Sequence, residues 1–267
     1  MNALSEVGQY SKKTISKFII LAHNNALDVP FSYESDASCA IKYFIKSEIT
    51  KSAWMKDCLS NSITQRKIEN WSTFNMEKRN EIIIELKQHL GQDGKIRTLV
   101  HSIAKGNLKP MVANENPSLK NDDFILTINA MAISLYDWTQ AIFEANLFAK
   151  DTRIISFTSE GNTKAWKHYA AVSAAKVTLE AITRNIALEF APYGIRANCI
   201  QAGVTDTASL QLIAGSDKIK EHTLLRNPFK RLTTPEDVAN VVYLLSKDEA
   251  SWINGSIIPV DGGEHIS

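Results

Sequence analysis

The sequence predicts a single α/β domain, a doubly wound parallel sheet with helices on both faces. Three observations lead there. Short apolar runs that read as buried strands alternate with longer runs of helical periodicity. At 267 residues and 44% hydrophobic, the chain suits one large α/β domain or two small ones. It has no internal repeat or low-complexity segment that would suggest a solenoid or a disordered protein.

The elements follow in order. Residues 1–16 are polar and read as a loosely ordered N-terminal segment, leaving 17–267 as the domain. Residues 17–22 form the first buried strand, followed by a turn to Pro30 and a helical pattern over 35–47. A strand at 52–55 is the reading of the next stretch. Ser72 and Thr73 precede a helix over 76–90 with Glu77 in its first turn, and Gly91 and Gly94 end it. Residues 97–104 read as a buried strand, 105–122 as a polar loop and 124–147 as one helix. A strand follows at 153–158, then a loop over 159–168 and a long helix from Tyr169 to about Phe190, closed by Pro192-Tyr-Gly194. Residues 195–202 form a strand, and 203–232 read as a flexible, substrate-sized segment. Thr234 caps the helix that follows, with Pro235 at its first position and Asp237 completing a capping box. A last strand at 256–260 ends in Asp261-Gly-Gly263. In such a sheet ligands sit at the carboxyl ends of the strands, so the segments after Ala22, Ala104, Thr158 and Ala202 should converge on a site.

Charge and cysteine usage exclude several classes. A net charge of +1 gives no case for nucleic acid or an anionic membrane. No run of apolar residues is long enough for a membrane span, and residues 1–16 lack the apolar core of a secretory leader. Cys39, Cys58 and Cys199 are widely separated and lack metal-ligand spacing, so no metal is expected. They read as reduced thiols of a cytoplasmic protein, packed as small apolar groups.

The stretch Tyr169-Ala-Ala-Val-Ser-Ala-Ala-Lys176 carries the chemistry. Two helical turns separate its ends, so Tyr169 and Lys176 share one face. An ammonium near a phenol favours the phenolate, so the pair is expected to lower the pKa of Tyr169 and serve as proton donor or oxyanion stabiliser.

Over about residues 97–263 the chain resembles the short-chain dehydrogenase/reductase superfamily, a Rossmann-like group. The carriers are Val100-His-Ser-Ile-Ala104, Thr127-Ile-Asn129, Tyr169 with Lys176, Ile195-Arg-Ala-Asn198, Gly203-Val-Thr-Asp-Thr207 and Val260-Asp-Gly-Gly263. Ordinary members place the catalytic Tyr four residues before the Lys, where this chain has Val172. Tyr169 stands seven before Lys176, as in the divergent branch that includes bacterial enoyl-acyl-carrier-protein reductases, and His101-Ser-Ile is similar to that branch as well.

The resemblance implies a reductase that uses NADH or NADPH to deliver hydride to the β-carbon of a 2-enoyl thioester carried by acyl carrier protein or coenzyme A. It implies that Tyr169 binds the thioester oxygen, that Lys176 holds the ribose hydroxyls and keeps Tyr169 acidic, and that Ser159 touches the substrate or shapes the loop. Ser102 and Ala104 would line the cofactor through backbone groups. Gly203 belongs to the same cofactor set, and Val204 and Thr207 would meet the nicotinamide carboxamide. Asn129 stands where ordinary members have a proton-relay Asn, or else bends its helix. His168 either tunes Tyr169 or is a solvated loop residue. Trp166 is the candidate substrate wall, and Trp138 and Trp252 are expected in the core. Asp261-Gly-Gly263 should shape the sheet edge and a subunit interface. Helices 124–147 and 169–190 should pair across a two-fold axis, giving a homotetramer.

One part of the pattern departs from the resemblance. No glycine occurs between Gly8 and Gly91, and His23-Asn24-Asn25-Ala26 stands where a glycine-rich pyrophosphate turn is expected. Asp28, Glu34 and Asp36 add charge that repels phosphates. Two other readings therefore stay open: a 3-oxoacyl reductase, against which Val172 argues, and a cofactor-less scaffold or partner subunit of an acyl-chain-building complex.

Overall fold

The computed structural model describes residues 16–23, 76–92, 94–112, 117–213 and 215–267. The expected turn, helix 35–47 and strand 52–55 lie outside the described residues, as do Asp28, Glu34 and Asp36. Five strands form one sheet in the order β1-β2-β3-β4-β5, and every pairing is parallel. They are β1 (Ser16–His23), β2 (Lys95–Ile103), β3 (Phe148–Ser159), β4 (Ile195–Ala202) and β5 (Ile257–Val260).

Helices cover both faces. On one face lie α1 (Met76–Leu90), the continuous run α2 (Asn121–Ile128), a π-helical turn (Asn129–Ile133) and α3 (Ser134–Glu144), and α4 (Ala170–Glu189). Leu135, Trp138 and Ile142 of α3 and Leu179 and Ile186 of α4 pack there with Leu99, Ile154 and Ala197 of the sheet. In α1 the buried residues Arg79, Ile83, Leu86 and Leu90 recur at helical spacing, and Arg79 donates to Asp137 of α3 at 3.0 Å. On the other face α7 (Pro235–Ser246) packs Val238, Val242 and Leu245 on Val100, Ile155 and Ile200. Successive side chains in a strand point to opposite faces, which is why neighbours such as Ile154 and Ile155 serve different cores. The connection from β4 to β5 runs over this second face while the two before it run over the first. It therefore has the opposite hand to them, an exception to the near-universal right-handed rule.

The helix at 76–90 and the strand at 195–202 fall on their expected bounds. Phe190 is the C-cap of α4, a 3-10 turn (Ala191–Tyr193) follows it and Gly194 closes that turn at φ 77, and Thr234 with Asp237 forms the capping box of α7. Other expectations need correction. Residues 124–147 are two helices joined by a π-helical turn that begins at Asn129, where a bend was one of the two readings. The strand expected at 153–158 runs from 148 to 159. The segment 203–232 contains α5 (Ala208–Gln211) and α6 (Ser216–Arg226); in α6 Thr223 is the buried residue, so no apolar stripe announced the helix. Trp138 is fully buried, but Trp252, also expected in the core, is 95% exposed. Cys199 is a free, buried thiol, pushed up to about 11 by burial.

Candidate active site

A cavity of about 310 Å³ opens at the carboxyl ends of β2, β3 and β4. Ser102, Ala104, Ser159, Tyr169, Lys176, Gly203, Val204 and Thr207 all line it, so the structure brings these eight candidates together. Trp166 lines it too, and so does Val172, whose methyl groups stand where ordinary members of the superfamily have a phenol. The remainder of the wall is largely apolar, with Leu108, Met131, Leu210, Ile213 and Ile219.

Tyr169 is the residue at which the loop turns into α4, with φ −105 and ψ 2. His168 before it holds φ 66, a left-handed conformation that costs a non-glycine residue some strain. The Tyr169 hydroxyl lies 3.4 Å from Ser159 Oγ at the end of β3. Gly161 packs against the same ring: a Cβ there would stand 2.5 Å from Tyr169 Cε1. Burial raises the Tyr169 pKa, and the Ser159 hydrogen bond only pulls it part of the way back. That corrects the expectation that Lys176 makes the phenol more acidic. The two residues share a cavity, but desolvation governs the phenol.

Lys176 is buried on α4 and donates to the carbonyl of Phe157 at 2.8 Å. Desolvation lowers its pKa to about 8, against the attraction of Cys199 and Glu180. Glu180, one turn further on, accepts from Thr158 Oγ1 at 2.5 Å and from Asn162 Nδ2 at 2.6 Å. Deeper under the same helix Ser156 and Thr183 meet hydroxyl to hydroxyl at 3.0 Å. His101 Nε2 lies 2.8 Å from Ser134 Oγ. Ser134 donates its own proton to the Ala130 carbonyl, so the His101 proton is assigned to Nε2. Burial and Lys176 drive the His101 pKa from 6.5 to about 3, which leaves the ring neutral.

The described half of the site has donors that suit a nicotinamide riboside. Lys176 carries three N–H donors, and Phe157 takes one, leaving two for ribose hydroxyls. Elsewhere the fit is tighter than the resemblance implies. The Val204 N–H already donates to Glu264 Oε2 at 3.2 Å, and Thr207 Oγ1 accepts the Leu210 N–H at 3.1 Å as the cap of α5. Asn129 and His168 are not among the residues that line the cavity. Asp261 is buried and accepts from Gly263 N and His265 N at 3.0 Å each, so Asp261-Gly-Gly263 forms a closed turn at the wall of the cavity, which Asp261 lines.

The sequence reading missed Glu160, Arg226 and Glu264. Arg226 donates to both oxygens of Glu160, at 3.0 and 2.6 Å, and to Glu264 at 2.7 Å. These partners lie 66 and 38 residues away in sequence, so no local spacing could have revealed them.

A parallel sheet covered on both faces, with a Tyr and a Lys from one helix at its carboxyl edge, has the architecture of a short-chain dehydrogenase/reductase. Comparison with known proteins narrows this. The family model described as enoyl-(acyl carrier protein) reductase matches residues 73–265. The enoyl-[acyl-carrier-protein] reductase [NADH] FabI of Aquifex aeolicus is 31% identical over 190 residues, covering 70% of this chain and 68% of its own. That of Bacillus cereus is 31% identical over 182 residues, 68% of each. The crystal structure of the Aquifex aeolicus VF5 enzyme superposes with a TM-score of 0.75 at 22% identity, covering 94% of this chain and 97% of that one. The chain belongs to the enoyl-(acyl carrier protein) reductase family.

Proposed function

We propose that the protein reduces the 2,3 double bond of a 2-enoyl thioester carried by acyl carrier protein or coenzyme A, with NADH or NADPH as the reductant. The observation that carries this reading is the pairing of the Tyr169 hydroxyl with Ser159 in a cavity where Val172 offers no proton. A 3-oxoacyl reductase of the ordinary kind has a phenol at the Val172 position.

A bound reduced nicotinamide supplies a hydride to the β-carbon. The chain's own residues do the rest. Tyr169, kept protonated by burial, donates a hydrogen bond to the thioester oxygen and stabilises the negative charge that develops there. Ser159 orients that phenol. Lys176, with one N–H on the Phe157 carbonyl, would have two donors left to hold the ribose hydroxyls. Ser102, Ala104 and Gly203 would give backbone contact to the cofactor, and Thr207, whose oxygen accepts the Leu210 N–H, would keep a hydroxyl proton to donate. The apolar wall from Met131 to Ile219 takes the acyl chain and excludes water. The α-carbon of the enolate then takes a proton that enters from solvent, the counterpart of the hydride, and the saturated thioester leaves.

Two-fold packing into a homotetramer fits the exposed apolar residues. Ile133 and Tyr136 lie outward around α3, Val177 and Leu188 outward on α4, and Trp252 and Ile253 precede β5. None of the described helices is long and apolar enough to cross a membrane.

The test is NAD(P)H consumption by the purified protein with a 2-enoyl thioester, run beside a 3-oxoacyl thioester. Turnover of the enoyl substrate is expected. Activity on the 3-oxo substrate alone would overturn the assignment, and no thermal shift with millimolar NADH or NADPH would favour the scaffold.

A further inference from the structure

Helix α6 lies over the cavity with little to hold it. Ile219 lines the cavity, yet Thr223 is the buried residue of the helix and Leu225 is exposed. A helix with one buried position has scant hydrophobic reason to stay where it is. Its anchors are polar and gather at its C-terminal end. The Arg226 fork takes both oxygens of Glu160 and reaches Glu264. Thr223 Oγ1 adds a bond to Glu264 at 3.0 Å, and Asn227 Nδ2 donates to the Asp261 carbonyl at 2.8 Å.

The two carboxylates belong to different walls of the cavity. Glu160 stands between Ser159, which faces Tyr169, and Gly161, whose carbonyl accepts from Ser173 of α4 at 2.6 Å. Glu264 holds the Val204 N–H beyond the end of β4. All three charged side chains are nearly sealed from water, at 11% exposure for Arg226, 13% for Glu160 and 2% for Glu264. A planar guanidinium can serve two carboxylates at once, which an ammonium on a flexible stem does less well.

We propose that Arg226 is a positioning residue that fixes α6 against the Glu160 and Glu264 walls and so sets the substrate side of the cavity. Arg226 touches no reacting atom in this account; it acts through the helix that carries Ile219. The kinetic arm of the test rests on the reductase reading, and the exchange arm does not.

Arg226→Gln, Arg226→Lys, Glu160→Gln and the Arg226→Gln/Glu160→Gln double variant are compared with wild type. Hydrogen–deuterium exchange is read by mass spectrometry on peptides from α6 and from β3 and β4. In Arg226→Gln, exchange in α6 should quicken by about tenfold or more while β3 and β4 stay as in wild type. With crotonyl-coenzyme A and the preferred reduced cofactor, KM should rise by about tenfold while kcat changes by less than about threefold. Arg226→Lys should fall between wild type and Arg226→Gln, and the double variant should fall short of the sum of the two single effects, Glu160 also being paired with Lys164. Exchange unchanged in α6, or quickened equally in β3 and β4, would overturn the proposal. So would a fall in kcat with KM unmoved, or additive effects in the double variant. If the wild type proves inactive on enoyl thioesters, the function reading fails and the exchange result alone decides this one.

Discussion

The hydroxyls of Ser159 and Tyr169 face each other at 3.4 Å across the end of β3 and the first residue before α4. Because burial raises the phenol's pKa, Tyr169 keeps a proton that it can donate. Tyr169→Phe keeps the ring and should lower kcat by about 10²–10³, the scale for one lost oxyanion donor, with the fold intact. Ser159→Ala should lower kcat by about tenfold and move the Tyr169 titration further up, since it removes the contact that pulls the pKa back. Steady-state NAD(P)H consumption and ultraviolet titration check both. An unchanged kcat in Tyr169→Phe would remove Tyr169 from the mechanism.

Cofactor affinity should depend on pH through Lys176. Its pKa of about 8 means the free protein loses the ammonium as pH rises through that value. The dissociation constant for NADH or NADPH, followed by fluorescence, should therefore weaken between about pH 7 and 9.5. In Lys176→Met it should be weak and flat over that range. A flat wild-type profile would separate Lys176 from cofactor binding.

Acid should destabilise the fold through His101. The unfolded chain takes up the proton near pH 6.5, while the buried ring resists it until about 3. Between those values the unfolded state binds more protons, so stability present above pH 6.5 is lost as pH falls towards 3. His101→Gln should be less stable than wild type at pH 7 by urea unfolding. That gap should narrow by about pH 4.5. An equal gap at both values would contradict the assignment of a neutral His101.

Gly161→Ala should act on Tyr169 more than on the fold. The added Cβ would stand 2.5 Å from Tyr169 Cε1 and 3.0 Å from Cδ1, displacing the ring. The expected result is a kcat loss of about tenfold or more with only a small change in thermal midpoint. Adding the substitution to Tyr169→Phe should lower kcat little further, since the hydroxyl it misplaces is already gone.

Trp252 tests the assembly. At 95% exposure it is the most exposed of the large apolar residues described. Trp252→Asp should lower the mass seen by light scattering at micromolar concentration. A wild-type monomer under the same conditions would contradict the proposed homotetramer.

The parts of this molecule that follow local rules were legible in the sequence. Gly194 closes the 3-10 turn that follows α4 in a left-handed conformation, and Thr234 with Asp237 starts α7 through a reciprocal cap. The Tyr169–Lys176 spacing placed both residues in one cavity. What stayed hidden depends on burial or on distant partners. The direction of the Tyr169 shift is set by desolvation, which spacing does not report. The Arg226 contacts join segments brought together only by the sheet. Trp252 was expected inside because aromatic residues usually are, and the chain instead presents it outward. The π-helical turn at Asn129–Ile133 inserts one residue into a helix turn, a local change of register that carries no residue signature of its own.

The row of hydroxyls, carboxylate and imidazole between α3, α4 and the sheet has a consequence for how this protein can drift in evolution. Oily interfaces tolerate sliding, because dispersion forces change little when one methyl replaces another. The Ser156–Thr183 and Thr158–Glu180 contacts are directional and lose their value if α4 moves along its axis by a fraction of a turn. Leu179 and Ile186 on the same helix can therefore be exchanged for other aliphatic residues while Tyr169 and Lys176 keep their address. Lineages that repack the apolar side should keep the chemistry in register, and those that replace Thr183 or Thr158 with valine should lose it first.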